Sequence, residues 1–167
     1  HNVSSAASDV YKRQPERWSP GYLFSMARGD GVLACGCSDG VVRVYGDGSS
    51  GTFGERVAEV TAHPNAIVGS TSFIDGGRVL CSVGLDGTVV LTDVRTWGIF
   101  RRISAGSTLT SACGVGSGSW LAMVGESGVV RAIDAIGDAS SSAQCVFEPK
   151  GEPVPLFCVA ANESGTM

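Results

Sequence analysis

The chain has 167 residues, of which 43% are hydrophobic and 17% charged, and it contains 24 glycines. This length provides one domain with a sizeable core, and few charges with many glycines favour short strands and tight turns over long solvated helices. The formal net charge is −4, and an acidic chain is a poor partner for a phosphate backbone, so we expect no nucleic-acid partner.

The first segment of the chain, residues 1–14, differs in character from the remaining residues. Within it, VSSAASDVYKRQ (residues 3–14) resembles a translated sequencing-adapter tail of the kind found at the ends of proteins inferred from transcriptome assemblies. We therefore interpret residues 1–14 as an artefactual or disordered tail and leave them out of the fold prediction.

Three later segments align without gaps around a tight turn. They are VLACGCSDGVVRVY (32–45), VLCSVGLDGTVVLTD (79–93) and WLAMVGESGVVRAID (120–134). In each, an apolar run is followed by Asp-Gly or Ser-Gly and then a β-branched run, which predicts a hairpin because Gly accepts positive φ without steric cost. The predicted turn residues, whose glycines lie 47 and 41 residues apart, are Asp39, Gly40, Gly87 and Gly128.

Each hairpin is flanked by two further strand-like runs. The preceding runs are YLFSMA (22–27), AIVGSTSFI (66–74) and TLTSACGV (108–115). The succeeding runs are ERVAEV (55–60), GIFRRIS (98–104) and QCVFE (144–148). Nowhere does a helical period of about 3.6 residues persist over three turns. Four strands in a unit of about 40–45 residues is the pattern of a β-propeller blade.

The strings SDGVVRVY and LDGTVVLTDVRT resemble the WD40 signature, in which an Asp-Gly turn precedes a strand that ends in Trp-Asp. The match covers about residues 20–150 and is most specific in the second unit, where Ala62-His63 replaces Gly-His and Thr92-Asp93 replaces Trp-Asp. The resemblance implies an all-β fold: a WD40-type β-propeller fragment with about three four-stranded antiparallel blades in an incomplete ring.

The resemblance also sets the expected domain limits. WD40-like repeats should occupy residues 15–153, with a further, truncated blade beginning at 154–167. The expected blades are about 20–60, 61–104 and 105–153.

Within a blade, the resemblance implies a buried hydrogen-bonded network. In the family it links a His, a Ser or Thr, the turn Asp and the Trp, and here the matching residues are His63, Ser82 and Asp86. Thr92 stands in place of the Trp. The first unit keeps only the turn aspartate and the third lacks it, so the network is predicted in the second unit.

A narrower resemblance concerns FSMARGDGVLACGCSDGVVRVY and the repeat after it. These strings are similar to consecutive repeats of the MAP-kinase-binding and spindle-associated WD-repeat scaffolds. The resemblance implies protein partners in a kinase-signalling or cytoskeletal complex.

Catalysis has little support in the sequence. A Ser–His–Asp reading of Ser82, His63 and Asp86 is formally possible. No G-x-S-x-G turn accompanies these residues, and the resemblance already gives them a structural role. The glycines of GVGSG (114–118) precede a strand rather than a helix, which argues against a phosphate loop. We predict that the protein is not an enzyme and binds no cofactor.

Metal binding and disulfides are also not predicted. Cys35-x-Cys37 has no second ligand pair, and both thiols should point into one blade interface. The six cysteines lie almost entirely in apolar strand-like runs, and no secretory signal is visible, which favours buried free thiols in a reducing compartment. No apolar run is long enough for a membrane helix. We expect no membrane partner and an intracellular, cytoplasmic location, with the nucleus left open.

The function predicted from these patterns is that of a non-catalytic protein-interaction scaffold, a module of a larger eukaryotic WD40-repeat protein. The alternative is a propeller-fold enzyme or a small-ligand-binding propeller, which would need convergent carboxylates at strand ends. Propeller strands are consumed by packing, so binding falls to the loops at the rims. The predicted partner-contact residues are Ser38, Pro64, Asn65, Leu85 and Glu126.

Overall fold

The computed structural model of the chain describes residues 21–49, 51, 53–137 and 144–161. In that part of the chain there are twelve strands, and the only helical piece is the 3-10 turn Asp75–Gly77. None of the described residues belongs to a helix long and apolar enough to cross a membrane. The predicted tail, residues 1–14, lies outside the described residues.

The strands form three antiparallel sheets, each made of four strands that are consecutive in the chain. The first sheet contains β1 Leu23–Arg28, β2 Val32–Cys37, β3 Val41–Gly46 and β4 Arg56–Thr61. The second contains β5 Val68–Ile74, β6 Val79–Gly84, β7 Thr88–Asp93 and β8 Gly98–Ser104. The third contains β9 Leu109–Val115, β10 Trp120–Gly125, β11 Val130–Asp134 and β12 Gln144–Phe147.

The second sheet is covered on both faces, which explains why its central strands have nearly continuous apolar sequences. Successive side chains of a strand point to opposite faces. Leu80 and Val90 pack with Val44 in the core between the first and second sheets. Cys81 and Leu91 belong to the core between the second and third sheets.

The innermost strands of the three sheets lie side by side. The hydroxyls of Ser25 on β1 and Thr71 on β5 are 3.3 Å apart. The hydroxyl of Ser70 on β5 donates to the carbonyl of Ala112 on β9 at 3.2 Å. Three four-stranded sheets ordered around one centre in an open ring confirm the predicted all-β propeller fold.

Residues 154–167 were predicted to begin a further, truncated blade. Residues 162–167 lie outside the described residues, and no strand is assigned to residues 154–161. They nevertheless run beside the third sheet. The amide of Leu156 donates to the carbonyl of Gly125 at 3.0 Å, and the amide of Val159 donates to the hydroxyl of Ser111 at 3.3 Å. Ala112, the neighbour of Ser111 on β9, belongs to the core shared with the second sheet. Adjacent side chains of a strand point to opposite faces, so Ser111 and the segment bonded to it lie on the face of β9 away from the second sheet.

The expectation of buried thiols is only partly correct. All six cysteines are free, and Cys35, Cys37 and Cys81 are buried. Burial raises the pKa of Cys81 to about 12, which keeps it a thiol at neutral pH. Cys145 and Cys158 are exposed, because the first lies on the outermost strand β12 and the second in the segment beyond it.

Candidate functional site at the turn rim

The hairpin turns and the loops that lead into each sheet meet at one rim of the ring. We call this the turn rim and define it by residues 38–40, 64–65, 85–87 and 126–128. The amide of His63 donates to the carbonyl of Gly40 at 2.9 Å, and that of Ala105 to Gly87 at 2.8 Å. The first and second turns are therefore bonded to the loops that lead into the next sheets.

The turn glycines allow this close approach. Gly40, Gly87 and Gly128 have φ values of 79°, 73° and 67°, which L side chains rarely adopt. A Cβ atom on Gly87 would lie 2.7 Å from the carbonyl oxygen of Ser107. A Cβ atom on Gly40 would collide with the carbonyl of His63. Glycine at positions 40 and 87 thus both forms the turn and makes room for the next loop.

In the second sheet, the structure brings His63, Ser82 and Asp86 together. His63 is completely buried. Its Nε2 lies 3.0 Å from the Ser82 hydroxyl, and its Nδ1 lies 3.2 Å from a carboxylate oxygen of Asp86. Thr88, which was not predicted as a member of the network, places its hydroxyl 3.0 Å from the same Nδ1. These contacts tie the loop before β5 to the turn between β6 and β7.

Burial and hydrogen bonding together set the charges in this network. Burial lowers the pKa of His63, and the neighbouring Asp86 carboxylate offsets only part of this effect. The ring is therefore neutral at pH 7, with Nδ1–H donating to Asp86 and Nε2 accepting from Ser82. Burial tends to raise the pKa of Asp86, but hydrogen bonds from Thr88 and His63 outweigh it and lower the pKa. Asp86 is thus a stable carboxylate.

The first sheet fixes its turn aspartate with a different residue. The guanidinium of Arg43 forms two hydrogen bonds with the carboxylate of Asp39, at 3.1 and 2.7 Å. Arg43 is 4% exposed, and its hydrogen bond is the main cause of the lowered pKa of Asp39. This pair was not predicted from the sequence, although an arginine inside the apolar run VVRVY, four residues after the aspartate, was a usable signal.

The third sheet has neither arrangement. Ala105 takes the place of His63, since both amides donate to the preceding turn glycine. Ser127 takes the place of the turn aspartate, and its hydroxyl accepts from the amide of Val129 at 3.4 Å. The turn acid and the imidazole are absent together from this sheet.

The predicted contact residues differ in how available they are. Pro64, Asn65 and Glu126 are exposed, and Leu85 is 38% exposed. Ser38 is half-buried and its hydroxyl already accepts a hydrogen bond from the amide of Tyr22 at 2.9 Å.

Tyr22 itself is 83% exposed beside this turn. It was predicted to belong to a strand, whereas β1 begins one residue later, at Leu23. It contributes a large amphipathic side chain next to the turn rim.

The opposite rim has a shallow cleft. Its lining residues are Asp75, Arg78, Val79, Asp93, Arg95 and Phe100. The Asp93 carboxylate lies 3.0 Å from the guanidinium of Arg95, and that of Asp75 lies 3.8 Å from Arg78. Over residues 21–49, 51, 53–137 and 144–161, no three or more His, Cys, Asp or Glu side chains are grouped to hold a metal ion.

Three successive antiparallel sheets with side-by-side inner strands define the class of structure as a β-propeller. Solved structures identify the type. The chain is similar to a structure of U3-55K (TM-score 0.70, 10% identity, 83% of this chain and 42% of that one). It is also similar to the WD40 repeats of RRP9 (TM-score 0.68, 10% identity, 79% and 40%).

A third similar structure is the β-propeller domain of Cps50 (Swd1) from Myceliophteria thermophila, with a TM-score of 0.63 and 18% identity over 77% of this chain and 40% of that one. The chain therefore spans about two fifths of the length of these structures. No family model and no curated protein matches the sequence. At these identities the likeness shows the fold, a WD40-type β-propeller.

Proposed function

We propose that the chain is a protein-interaction scaffold module and that partners bind at the turn rim. The observation that carries this proposal is that exposed side chains project from turns with a fixed backbone. Leu85 comes directly after a buried strand, its amide donates to the carbonyl of Ile67 at 3.0 Å, and its side chain is 38% exposed. Functional side chains on loops held by a rigid scaffold are typical of binding sites, and a preorganised surface loses less entropy on binding.

The chemistry of the rim indicates the kind of partner. Tyr22 and Leu85 offer apolar surface, and aromatic side chains are frequent anchors in protein interfaces. Asp86 in the second turn and Glu126 in the third add negative charge to the same rim. A partner segment with an apolar side chain flanked by basic residues fits this combination.

Further parts of the proposal rest on the sequence resemblance. It supports a non-catalytic module of a larger eukaryotic WD40-repeat protein, located inside the cell, with partners in a kinase-signalling or cytoskeletal complex. The carboxylates of the cleft on the opposite rim face arginines, an arrangement that favours a structural role for them over acid–base chemistry. Residues 154–161, which lie along β9 as β9 lies along β5, are proposed to begin a further blade.

The experiment compares proteins captured from lysate by three immobilised forms of the chain. The first is unaltered, the second carries Leu85→Arg on the turn rim, and the third carries Phe100→Arg on the opposite rim as a control. Quantitative mass spectrometry should find proteins lost by Leu85→Arg but retained by Phe100→Arg. A captured protein should then bind the purified chain directly, at least about tenfold more weakly after Leu85→Arg. Equal losses in the two variants would contradict binding at the turn rim.

A further inference from the structure

We propose that Ser104 is a phosphorylation site for a kinase that selects basic residues before the acceptor serine. Ser104 is the last residue of β8 and follows Arg101, Arg102 and Ile103. Kinases distinguish their substrates by the pattern of charges around the acceptor. Arginines at the third and second positions before a serine therefore fit a kinase whose peptide groove is lined by carboxylates.

This sequence pattern occurs once in the chain. Of all the serines and threonines in the 167 residues, only Ser104 has arginines both two and three positions before it. Ser19 has one arginine at these positions, Arg17, and Thr96 has only the adjacent Arg95. The pattern therefore distinguishes Ser104 from every other hydroxyl that could accept a phosphoryl group.

The structure leaves the Ser104 hydroxyl accessible. β8 is the outermost strand of the second sheet, and in the described part of the chain no strand pairs with its outer edge. Ser104 is exposed, and its hydroxyl makes no hydrogen bond to the described residues. An edge strand presents its backbone and its exposed side chains to other proteins. The oxygen that would accept the phosphoryl group is therefore both free and within reach of an enzyme.

The fold holds the two arginines to different extents. Arg101 is half-buried and donates from Nη1 to two backbone carbonyls that follow β11 in the third sheet. Arg102 is exposed, and its Nη1 donates to the carbonyl of Ala62 at 2.5 Å. Side chains alternate along a strand, so Arg102 and Ser104 lie on the same face of β8. Arg102 is thus the positive charge that a kinase would meet beside the acceptor in the folded chain.

The reaction requires the kinase and magnesium-bound ATP. The Ser104 Oγ attacks the γ-phosphorus of ATP, and the new O–P bond forms as the bond from that phosphorus to the oxygen shared with the β-phosphate breaks. The shared oxygen keeps the electron pair and leaves as part of ADP, while the hydroxyl proton passes to a carboxylate base of the kinase. The phosphoserine formed carries a charge of about −1.5 to −2 at pH 7.

The phosphate would lie next to the second turn. Ser104 pairs with Thr88 on β7, and the hydroxyl of Thr88 donates to the carboxylate of Asp86 at 2.8 Å. The amide of the following residue, Ala105, donates to the carbonyl of Gly87. Modification would therefore add negative charge to the turn rim. The modification itself does not depend on partner binding there, so the two proposals can fail separately.

Phosphorylation of the folded full chain tests the proposal. The kinase used is the purified catalytic subunit of cyclic-AMP-dependent protein kinase, which selects arginines at these positions, with magnesium and ATP. Mass spectrometry locates the phosphate, and initial rates give kcat/KM. Ser104 should be the main site, with kcat/KM within about tenfold of the value for a peptide of residues 98–108, because a site reached only by unfolding would be open in about one molecule in 10³ or fewer.

Three variants serve as controls, each checked for folding by circular dichroism. Ser104→Ala should abolish phosphorylation at the main site. Ser117→Ala removes an exposed serine that no arginine precedes and should change nothing. Arg102→Ala should lower kcat/KM at least about tenfold, and Arg102→Lys, which keeps the charge, should lower it less.

Three results would overturn the proposal. The first is a kcat/KM for the folded chain that is about a hundredfold or more below that of the peptide, as expected for modification of unfolded molecules alone. The second is a main site other than Ser104. The third is an equal kcat/KM with and without the Arg102 side chain.

Discussion

The first and second sheets hold the same Asp-Gly turn in different ways. In the second sheet, His63 reaches Asp86 from the preceding loop and also contacts Ser82 on the neighbouring strand. In the first, Arg43 reaches Asp39 from within the same sheet. The turn therefore requires a hydrogen-bond donor for its aspartate, but not a particular donor. Of the two donors, only the imidazole comes from the loop between two sheets.

The largest expected effect concerns the feature that both sheets share. Gly40→Ala should destabilise the chain by about 3 kcal/mol, because a left-handed backbone is unfavourable for Ala and its Cβ would collide with the His63 carbonyl. Gly87→Ala should cost less, since the nearest oxygen lies at 2.7 Å. Chemical denaturation would measure both.

The control for these variants is Gly76→Ala. Gly76 also has a positive φ, 61°, but a Cβ there would meet no atom within 4 Å. Gly76→Ala should lower the free energy of unfolding only by the cost of a left-handed backbone for Ala, about 1–2 kcal/mol. Equal losses at Gly40 and Gly76 would show that the loop does not approach the turn as described.

The second prediction separates the two donors. His63→Leu and Arg43→Leu should each cost about 1–3 kcal/mol, because each leaves a polar group without its partner. Ser82→Ala should recover part of the loss in His63→Leu, since it removes the buried hydroxyl that lost its bond. Urea denaturation of the single and double variants would measure the coupling.

Ser82→Ala also provides the control for the Arg43→Leu variant of the first sheet. Combined with Arg43→Leu, it should give additive losses, because Ser82 bonds to His63 and not to the Asp39–Arg43 pair. Recovery in both backgrounds would contradict two separate networks.

The third and smallest effect is the dependence of stability on pH. The folded pKa of His63 lies below its ordinary value of 6.5. As the pH falls below 6.5, the unfolded chain binds a proton at this histidine that the folded chain does not. The contribution of His63 to the free energy of unfolding is therefore complete above pH 6.5 and declines below it. His63→Gln should reduce the change of melting temperature with pH between about pH 7 and pH 5, whereas Arg43→Leu should leave that change as it is. Asp86 affects stability only at lower pH, because its ordinary pKa is 3.8 and folding lowers that pKa further.

The fold was largely predictable because its signals are local. An Asp-Gly or Ser-Gly pair between two β-rich runs specifies a hairpin, and β2 to β3, β6 to β7 and β10 to β11 are connected in this way. Their repetition predicted the three sheets. The arrangement of His63, Ser82 and Asp86 was predicted from the resemblance alone, because nothing local brings residues 19 or more positions apart into contact.

The rest depended on information that a repeat pattern does not contain. Arg43 and Asp39 meet through the turn geometry of one sheet, in a unit where the family motif is incomplete. Cys145 and Cys158 are exposed because no further part of the described chain packs over them. The alternation of apolar residues does not reveal which segments lack such a neighbour. Tyr22 lies outside β1, which begins one residue later than its apolar run, and it is exposed beside the first turn.

The central claim is that the three sheets are consecutive blades packed through their inner strands. Nuclear Overhauser contacts between sheets test it most directly in methyl-labelled protein. We expect cross-peaks between the Val68 methyl groups and the α-protons of Gly36, and between a methyl group of Ile74 and the α-protons of Gly114. Normal contacts within each sheet, with both of these missing, would show that the sheets fold but do not pack as blades.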